Sequence, residues 1–281
     1  MIYDYNKRRE YLKSVFEDTM ELIRTDKEFG EEMMESVKSQ KFYGHNDPIN
    51  VTPPVYYKQT KTFVTKSSTM DAARKYFDSN KHVAVLNFAS ATTPGGGVRS
   101  GSSAQEECLC RVSTLLPCLE SEMPKQMFYN PHRTYKNPLH NDDIIYTPNV
   151  CVFKDDKYND IEPFLTDVIT CAAPNLRKVP TNNMNLDDGD GVEITNDELF
   201  KLHKSRARKI LAAAASNKAD VIVLGAFGCG VFQNPPEIVA KAFKEAAEEF
   251  YGHFDAIEFA VYCKEYNMNN YNTFKRIIEN R

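Results

Sequence analysis

The sequence predicts an α/β protein in which a central sheet lies between layers of helices and is preceded by a helical extension. Three observations carry this expectation. The run His82-Val83-Ala84-Val85-Leu86-Asn87-Phe88 is almost continuously apolar, as suits a strand covered on both faces. From Phe63 onward, short apolar runs alternate with stretches of helical period, the pattern of layered α/β folds. Ahead of them Leu12, Val15, Phe16, Met20 and Ile23 recur at three-to-four spacing, as do Phe29, Met33, Met34 and Val37, so two amphipathic helices open the chain.

Further elements follow in order. The polar, Pro-bearing stretch from Tyr43 to Pro54 breaks the helical pattern and divides the chain into an N-terminal helical extension, residues 1–54, and a main α/β domain, residues 55–281. The extension is read as a cover for one side of the sheet, with a docking element as the alternative. Ser68 caps a helix running through Ala72, Ala73 and Tyr76. Strands are expected at Asp167 to Ala172, Val221 to Gly225 and Ala256 to Tyr262. Thr195-Asn196-Asp197-Glu198 matches a capping box opening a helix to about Asn217, and Pro235-Pro236 opens another through Glu249. Lys201, Lys204, Arg206, Arg208 and Lys209 read as the solvated face of the helix that Thr195 opens, although they could meet an anionic polymer. Pro124 to Val150 lacks a period and is expected to be an irregular surface excursion. Asn182 to Gly191 is expected to be a solvated loop, because its acidic residues lack the spacing and terminal glutamate of a calcium-binding EF-hand.

Composition narrows the function classes. Hydrophobic residues at 42% and charged residues at 26% are ordinary for a globular chain with a sizeable core. A formal net charge of -4 leaves no broad basic footprint, so sequence-specific nucleic-acid binding is not expected and any anion must be held locally. The first residues are charged at once and no apolar run approaches the ~20 residues of a membrane helix. Seven cysteines, an odd number, with Cys108, Cys110 and Cys171 inside apolar periodic segments as small buried hydrophobes, point to a reducing cytoplasm or nucleus. Asn50-Val51-Thr52 matches a glycosylation triplet, which carries no meaning in such a compartment.

Two glycine loops stand at strand ends. Thr93-Pro94-Gly95-Gly96-Gly97-Val98 follows the central strand, and Gly225-Ala226-Phe227-Gly228-Cys229-Gly230-Val231-Phe232 follows the strand at Val221. Loss of side chains there lets backbone N–H groups approach an anion, and two such loops suggest two phosphates. Either run alone would more often be a tight turn. Neither has the Lys-Ser or Lys-Thr of a nucleotide P-loop, nor a Rossmann fingerprint. Phe227 and Phe232 could each pack on a ribose or base or fill the core, and Phe232 is the preferred ligand contact.

Seven residues after Gly97 come Gln105-Glu106-Glu107, in the first turn of a helix carrying Leu109, Val112, Leu115 and Leu116. Acids there commonly do no more than oppose the helix dipole. The short link to the glycines changes that reading, because a diphosphate gripped by the loop would bring its ribose to the acids. Glycoside cleavage needs a proton donor at the leaving oxygen and negative charge near the anomeric carbon, work that two differently placed glutamates can divide. A raised pKa in one of them would require burial or a neighbouring charge to outweigh the helix dipole.

Gly-Gly-Gly, seven residues, Gln-Glu-Glu resembles the signature of the poly(ADP-ribose) glycohydrolases, which are built on the macrodomain fold. The stretches Asn87 to Ala91, Pro94 to Gly97, Ala104 to Arg111, Tyr146 to Val150, Val152 to Asp155 and Gly225 to Pro236 resemble the microbial branch in particular, over about residues 60–265. The resemblance implies a macrodomain-like three-layer α/β/α sandwich with a central mixed sheet. It implies poly(ADP-ribose) and ADP-ribosylated targets as partners, ADP-ribose as product and no metal or cofactor. Glu107 would protonate the leaving ribose oxygen and then activate water, with Glu106 on the ribose hydroxyls and Gln105 ordering the site. Gly95, Gly96, Gly97 and Val98, with Gly225, Phe227, Gly228, Cys229, Gly230, Val231 and Phe232, would hold the diphosphate and its ribose. Members of the microbial branch resemble exo-acting enzymes that work from chain ends, and adenine would lie near Thr65 to Thr69. The chain departs from the macrodomain pattern at Ser90 and Thr93, where an asparagine that contacts ribose is expected. A mono-ADP-ribosyl hydrolase shares the same loops, and a non-catalytic ADP-ribose reader would have no need of the paired acids.

Overall fold

The computed structural model describes residues 2–51, 53–54 and 60–280, without the side chains of residues 2 and 3. Thr52 of the glycosylation triplet and residues 55–59, which adjoin the expected domain boundary, lie outside the described residues. The chain opens with α1 (Ile2–Thr25), α2 (Lys27–Lys38), β1 (Lys41–Tyr43), β2 (Lys61–Thr65) and α3 (Thr69–Phe77). The central part comprises β3 (Val83–Ala89), α4 (Gln105–Val112), α5 (Leu115–Leu119), α6 (Glu122–Pro124), a π turn over Lys125–Tyr129, α7 (Asn130–Tyr135), β4 (Ile144–Lys154) and β5 (Asp160–Ala172). It closes with α8 (Asn196–Ser216), β6 (Val221–Leu224), α9 (Pro236–Glu249), β7 (Ala256–Ala260) and α10 (Asn269–Glu279).

All the strands join one seven-stranded sheet in the order β1-β4-β5-β3-β6-β7-β2. From β5 across to β2 the neighbours are parallel, whereas β4 runs antiparallel to both β5 and β1, so the sheet is mixed. The pleat sends alternate residues of β3 to opposite layers. Ala84 and Leu86 pack with α8, α9 and α10, while Val83 and Val85 pack with α3, α4 and α5. The result is the expected α/β/α sandwich. Among the described residues no helix is long and apolar enough to cross a membrane.

Local signals explain most boundaries. Ser68 Oγ accepts from the Asp71 amide at 3.2 Å at the start of α3. Thr195 and Glu198 form the reciprocal capping box of α8. Asp26 caps α2 by accepting from the Glu28 and Phe29 amides. Leu12, Phe16, Thr19 and Ile23 form the buried stripe of α1, and Thr19 Oγ1 donates to the Arg111 carbonyl at 2.5 Å, so α1 packs directly on α4. Residues 41–43, within the expected extension, supply the edge strand beside β4.

The structure corrects four expectations. Pro124 to Val150 is not irregular: it holds helical turns to Tyr135 and the first half of β4. Its period is hidden because the π turn brings Phe128 and Tyr129 into the core together, and a register shift between Thr147 and Val150 holds Asn149 at φ 53°. Asn182 to Gly191 is a loop, and half of it is exposed, but it is not solvated throughout. Asp188 is buried, accepting from Asn175 Nδ2 at 2.6 Å and bonding His140 Nε2 at 2.7 Å, partners that local sequence cannot reveal. Despite the cost of burying it, these bonds hold the Asp188 carboxyl below its ordinary value. Cys108 is only partly buried, unlike Cys110 and Cys171.

The fourth correction concerns the basic stripe of α8. Lys204 and Arg208 pair with Glu245 and Glu249 of α9, but Arg206 turns inward and is 1% exposed. Its guanidinium meets Asp142 Oδ1 at 2.9 Å and the carbonyls of Ala172 and Leu139 at 2.7 and 3.2 Å, while Ser205 donates to the other Asp142 oxygen. Removing one partner of such a pair strands a dry charge. Arg206→Ala is therefore expected to cost about 3–5 kcal/mol in urea denaturation; a loss no larger than that of a surface substitution would contradict the role given to this pair.

Candidate active site

Because β3 and β6 are hydrogen-bonded parallel neighbours, the loops leaving their carboxyl ends emerge side by side. Only glycine fits at the join. A Cβ on Gly225 would stand 2.9 Å from the Phe88 ring and 2.7 Å from the Ala260 carbonyl. In the first loop Gly95 and Gly96 adopt φ of 67° and 54°, and a Cβ on Gly96 would stand 2.7 Å from Glu107 Oε1. The glycine at position 96 thus makes room for the acids.

The first turn of α4 is anchored to the rim of the sheet. Beyond Val85 the register with β6 stops, and Gln105 fills the exposed edge of β3. Its Oε1 accepts from the Phe88 amide at 2.9 Å, and its Nε2 donates to the Leu86 carbonyl at 2.7 Å and to Thr69 Oγ1 at 3.1 Å. Gln105 therefore spends its amide on holding the helix start. Thr65, at the end of β2, donates to buried Glu258, which also accepts from Tyr76 OH at 2.7 Å.

Both glutamates are buried, at 3% exposure for Glu106 and 6% for Glu107. Glu106 Oε2 accepts from the Ser90 amide at 2.8 Å and Oε1 from Asn87 Nδ2 at 3.4 Å. Asn87 reaches it because odd-numbered residues of β3 face the α4 layer. Glu107 Oε1 accepts from the Gly97 amide at 2.9 Å, whereas its Oε2 is buried with no partner. On β3 and in the loop that follows it Asn87 Oδ1, Thr92 Oγ1 and Thr93 Oγ1 are likewise buried without partners, unmet hydrogen bonds of the kind a ligand can satisfy.

Burial governs the titration of the pair. It pushes Glu106 up to about 8, against the lowering by the Ser90 amide and with help from the charge of Glu107. Burial also raises Glu107, opposed first by the Gly97 amide and more weakly by Arg111. The pair consequently keeps a proton at neutral pH. Glu106 is the more firmly tied of the two, and Glu107 alone has an oxygen without a partner.

Two further clamps hold the loops. Arg111, fully buried on α4, donates to the Leu12 carbonyl of α1 at 3.1 Å and to the carbonyls of Val98 and Ser102. Arg9 of α1 reaches the Ser100 carbonyl through two nitrogens at 3.0 and 2.7 Å. In the second loop Asn234 Nδ2 donates to the carbonyls of Pro174 and Gly228 at 2.7 and 3.0 Å. Its Oδ1 bonds Nε2 of buried His203, whose pKa burial pushes down to about 4, so that this ring is neutral and donates.

The two loops offer a ligand different things. In the first, the Gly96 amide turns back to the Thr93 carbonyl and that of Gly97 holds Glu107. In the second, Gly228 sits at φ 73°, Gly230 faces open space, and the amides of Gly228, Gly230, Val231 and Phe232 have no acceptor among the described residues. Phe227 is fully buried against Phe88 and Phe243, leaving only its backbone to a ligand, while Phe232 is partly exposed beneath the Arg177 guanidinium. Sequence reasoning passed over Asn185, gave no role to Asn87 and Arg111 within the stretches it singled out, and met Ser90 only as a departure from the macrodomain pattern. A polar Asn87 within an apolar strand was a visible signal; Asn185, which accepts from Ser90 Oγ across 95 positions, had none.

The raised carboxyl of Glu106 has a consequence for stability. Between the ordinary value of 4.5 and about 8 the folded chain keeps a proton that the unfolded chain has released. Stability conferred by that proton is complete below the lower value and is lost as pH rises through the upper one. Glu106→Gln should flatten this decline, read as melting temperature against pH; parallel curves for the two proteins would count against a buried, protonated Glu106.

Comparison with known proteins agrees with this geometry. A profile of the family described as microbial-type PARG, catalytic domain, matches residues 16–155. The crystal structure of poly(ADP-ribose) glycohydrolase from Thermomonospora curvata is 31% identical, with a TM-score of 0.84, covering 95% of this chain and 99% of that one. The same enzyme bound to the inhibitor ADP-HPD gives 32% identity and a TM-score of 0.82 over the same shares. The enzyme from Deinococcus radiodurans in complex with ADP-ribose gives 31% and 0.76, covering 88% of this chain and 96% of that one. No curated protein matches the sequence. This chain belongs to the microbial-type poly(ADP-ribose) glycohydrolases.

Proposed function

We propose that the chain hydrolyses the ribose–ribose O-glycosidic bonds of poly(ADP-ribose), with Glu107 as the proton donor and ADP-ribose as the product. The observation that carries the assignment of roles is the unpartnered, buried Oε2 of Glu107 beside an oxygen fixed by the Gly97 amide. A neutral carboxyl in that state has one oxygen positioned and its proton available to an incoming acceptor. The leaving ribose oxygen is such an acceptor. As the C1–O bond breaks, the proton passes from Oε2 to that oxygen and positive charge develops at the anomeric carbon. Glu107, now a carboxylate, takes a proton from the water that attacks C1, and the water oxygen becomes the new anomeric hydroxyl. Glu106, held by the Ser90 amide and Asn87 Nδ2 beside Glu107, stands where its carboxyl can exchange hydrogen bonds with ribose hydroxyls. The free amides at Gly228 and from Gly230 to Phe232 suit the diphosphate, while Gly96 and Gly97 lie directly against the acids and fix where they stand.

Two measurements test these roles. Glu107→Gln keeps the shape and the Gly97 contact but removes the transferable proton, so release of ADP-ribose from polymer should fall by roughly 10²–10⁴-fold while ADP-ribose still binds. Turnover should also decline as pH rises and Glu107 loses its proton, because the acid form starts the reaction. Undiminished release by the variant would remove Glu107 from the chemistry. Release from mono-ADP-ribosylated protein but none from polymer would replace the proposed substrate.

A further inference from the structure

The excursion between β5 and α8 carries a tight turn, Asn182 to Asn185, closed by reciprocal backbone hydrogen bonds of 3.0 Å. The Asn182 side chain reinforces it by accepting from the Met184 and Asn185 amides at 2.8 and 3.2 Å. The turn rests on the first glycine loop at two points. Ser102 Oγ donates to Met184 Sδ at 3.2 Å, and that sulfur lies 2.9 Å from where a Cβ on Gly97 would be. Ser90 Oγ lies 2.9 Å from Asn185 Oδ1, with the Met184 carbonyl farther off at 3.5 Å.

The partners of Ser90 fix the direction of the bond to Asn185. Its hydroxyl oxygen already accepts from the Thr92 and Thr93 amides at 3.4 and 3.1 Å, so the hydroxyl proton is what it gives to Asn185. Asn185 accordingly turns its oxygen to Ser90 and keeps both Nδ2 hydrogens. That Nδ2 donates to no acceptor among the described residues, although Asn185 is only 7% exposed. Ser90 also gives its backbone N–H to Glu106, so a single residue bridges this amide and the acid pair. A largely buried residue whose amide nitrogen keeps both donors and opens to the site, tied through Ser90 to the acid pair and to a loop with the unpartnered Thr93 hydroxyl, suits a vicinal diol, whose hydroxyls both give and take hydrogen bonds.

We propose that Asn185 contacts substrate, its Nδ2 donating to a hydroxyl of the ribose whose anomeric carbon faces Glu107, and that the turn from Asn182 to Asn185 forms one wall of that sugar subsite. The inference rests on the reading of the chain as acting on ADP-ribosyl units, and it adds a residue from a distant segment to the recognition of the sugar. The wall is held from behind, where Asp188 bonds His140 and Asn175 and Thr181 Oγ1 donates to the Gly189 carbonyl at 2.9 Å.

Calorimetric titration of ADP-ribose and of ADP into wild type, Asn185→Ala and Asn185→Asp separates a sugar contact from a structural one. The alanine variant should bind ADP-ribose roughly tenfold more weakly, the effect of losing one hydrogen bond in a dry site, and bind ADP as wild type does. The aspartate variant, an acceptor in place of a donor, should lose at least as much for ADP-ribose alone. Equal losses for both ligands would show that the turn merely shapes the glycine loop, and unchanged affinity for ADP-ribose would show that Asn185 does not touch it; either result overturns the proposal. A wild-type chain that prefers ADP-ribose no more than ADP would overturn the underlying reading as well, and is distinguishable because it needs no variant.

Discussion

Two adjacent carboxyl groups taken out of water at the start of a helix are the constraint around which this protein is arranged. Burying an acid without partners is expensive, and burying two side by side adds their mutual repulsion. The chain meets part of that cost with backbone donors, from Ser90 and Gly97, and with the Asn87 amide of the neighbouring strand. The rest is met by holding a proton. What remains unmet, the second oxygen of Glu107 and the hydroxyls of Thr92 and Thr93, is what a substrate can satisfy. Stability has been left incomplete at the point where chemistry is required.

The sheet converts this local arrangement into a site with two halves. Parallel pairing of β3 with β6 brings together loops separated by well over a hundred residues, one arranged around the acids and the other presenting amides outward. Their roles follow from where their N–H groups go rather than from glycine content, which is similar in both. Behind them Gln105, Arg111 and Asn234 tie the loops to sheet and helices, so the geometry does not depend on loop stiffness alone.

Much of this was legible in the sequence. The continuous apolar run at Val83, the capping signals at Ser68 and Thr195 and the paired helices at the start each report a local preference, and the structure follows them. The acids and glycines were legible because their spacing is short enough for a chain segment to enforce proximity. What the sequence hid was long-range or irregular. The register shift in β4 interrupts the alternation that would have revealed the strand, and the π turn breaks the helical period before it. Arg206 looks like its basic neighbours on α8 until Asp142 is brought beneath it by the fold, and Asp188 looks like a solvated acid until His140 closes over it. In each case the deciding partner lies dozens of positions away.

The attachment of α1 to the catalytic loop bears on the order in which a nascent chain can become an enzyme. Arg9 binds the Ser100 carbonyl across 91 positions, and a Cβ on Gly101 would come within 2.4 Å of the Arg9 carbonyl. Ile23 of the first helix can meet Phe29 of α2 as soon as both exist, but the surface that receives Phe16 is made only when α4 has followed. A segment that looks like an appendage is thus one of the supports of the first glycine loop, and a chaperone holding its apolar stripe would withhold that support.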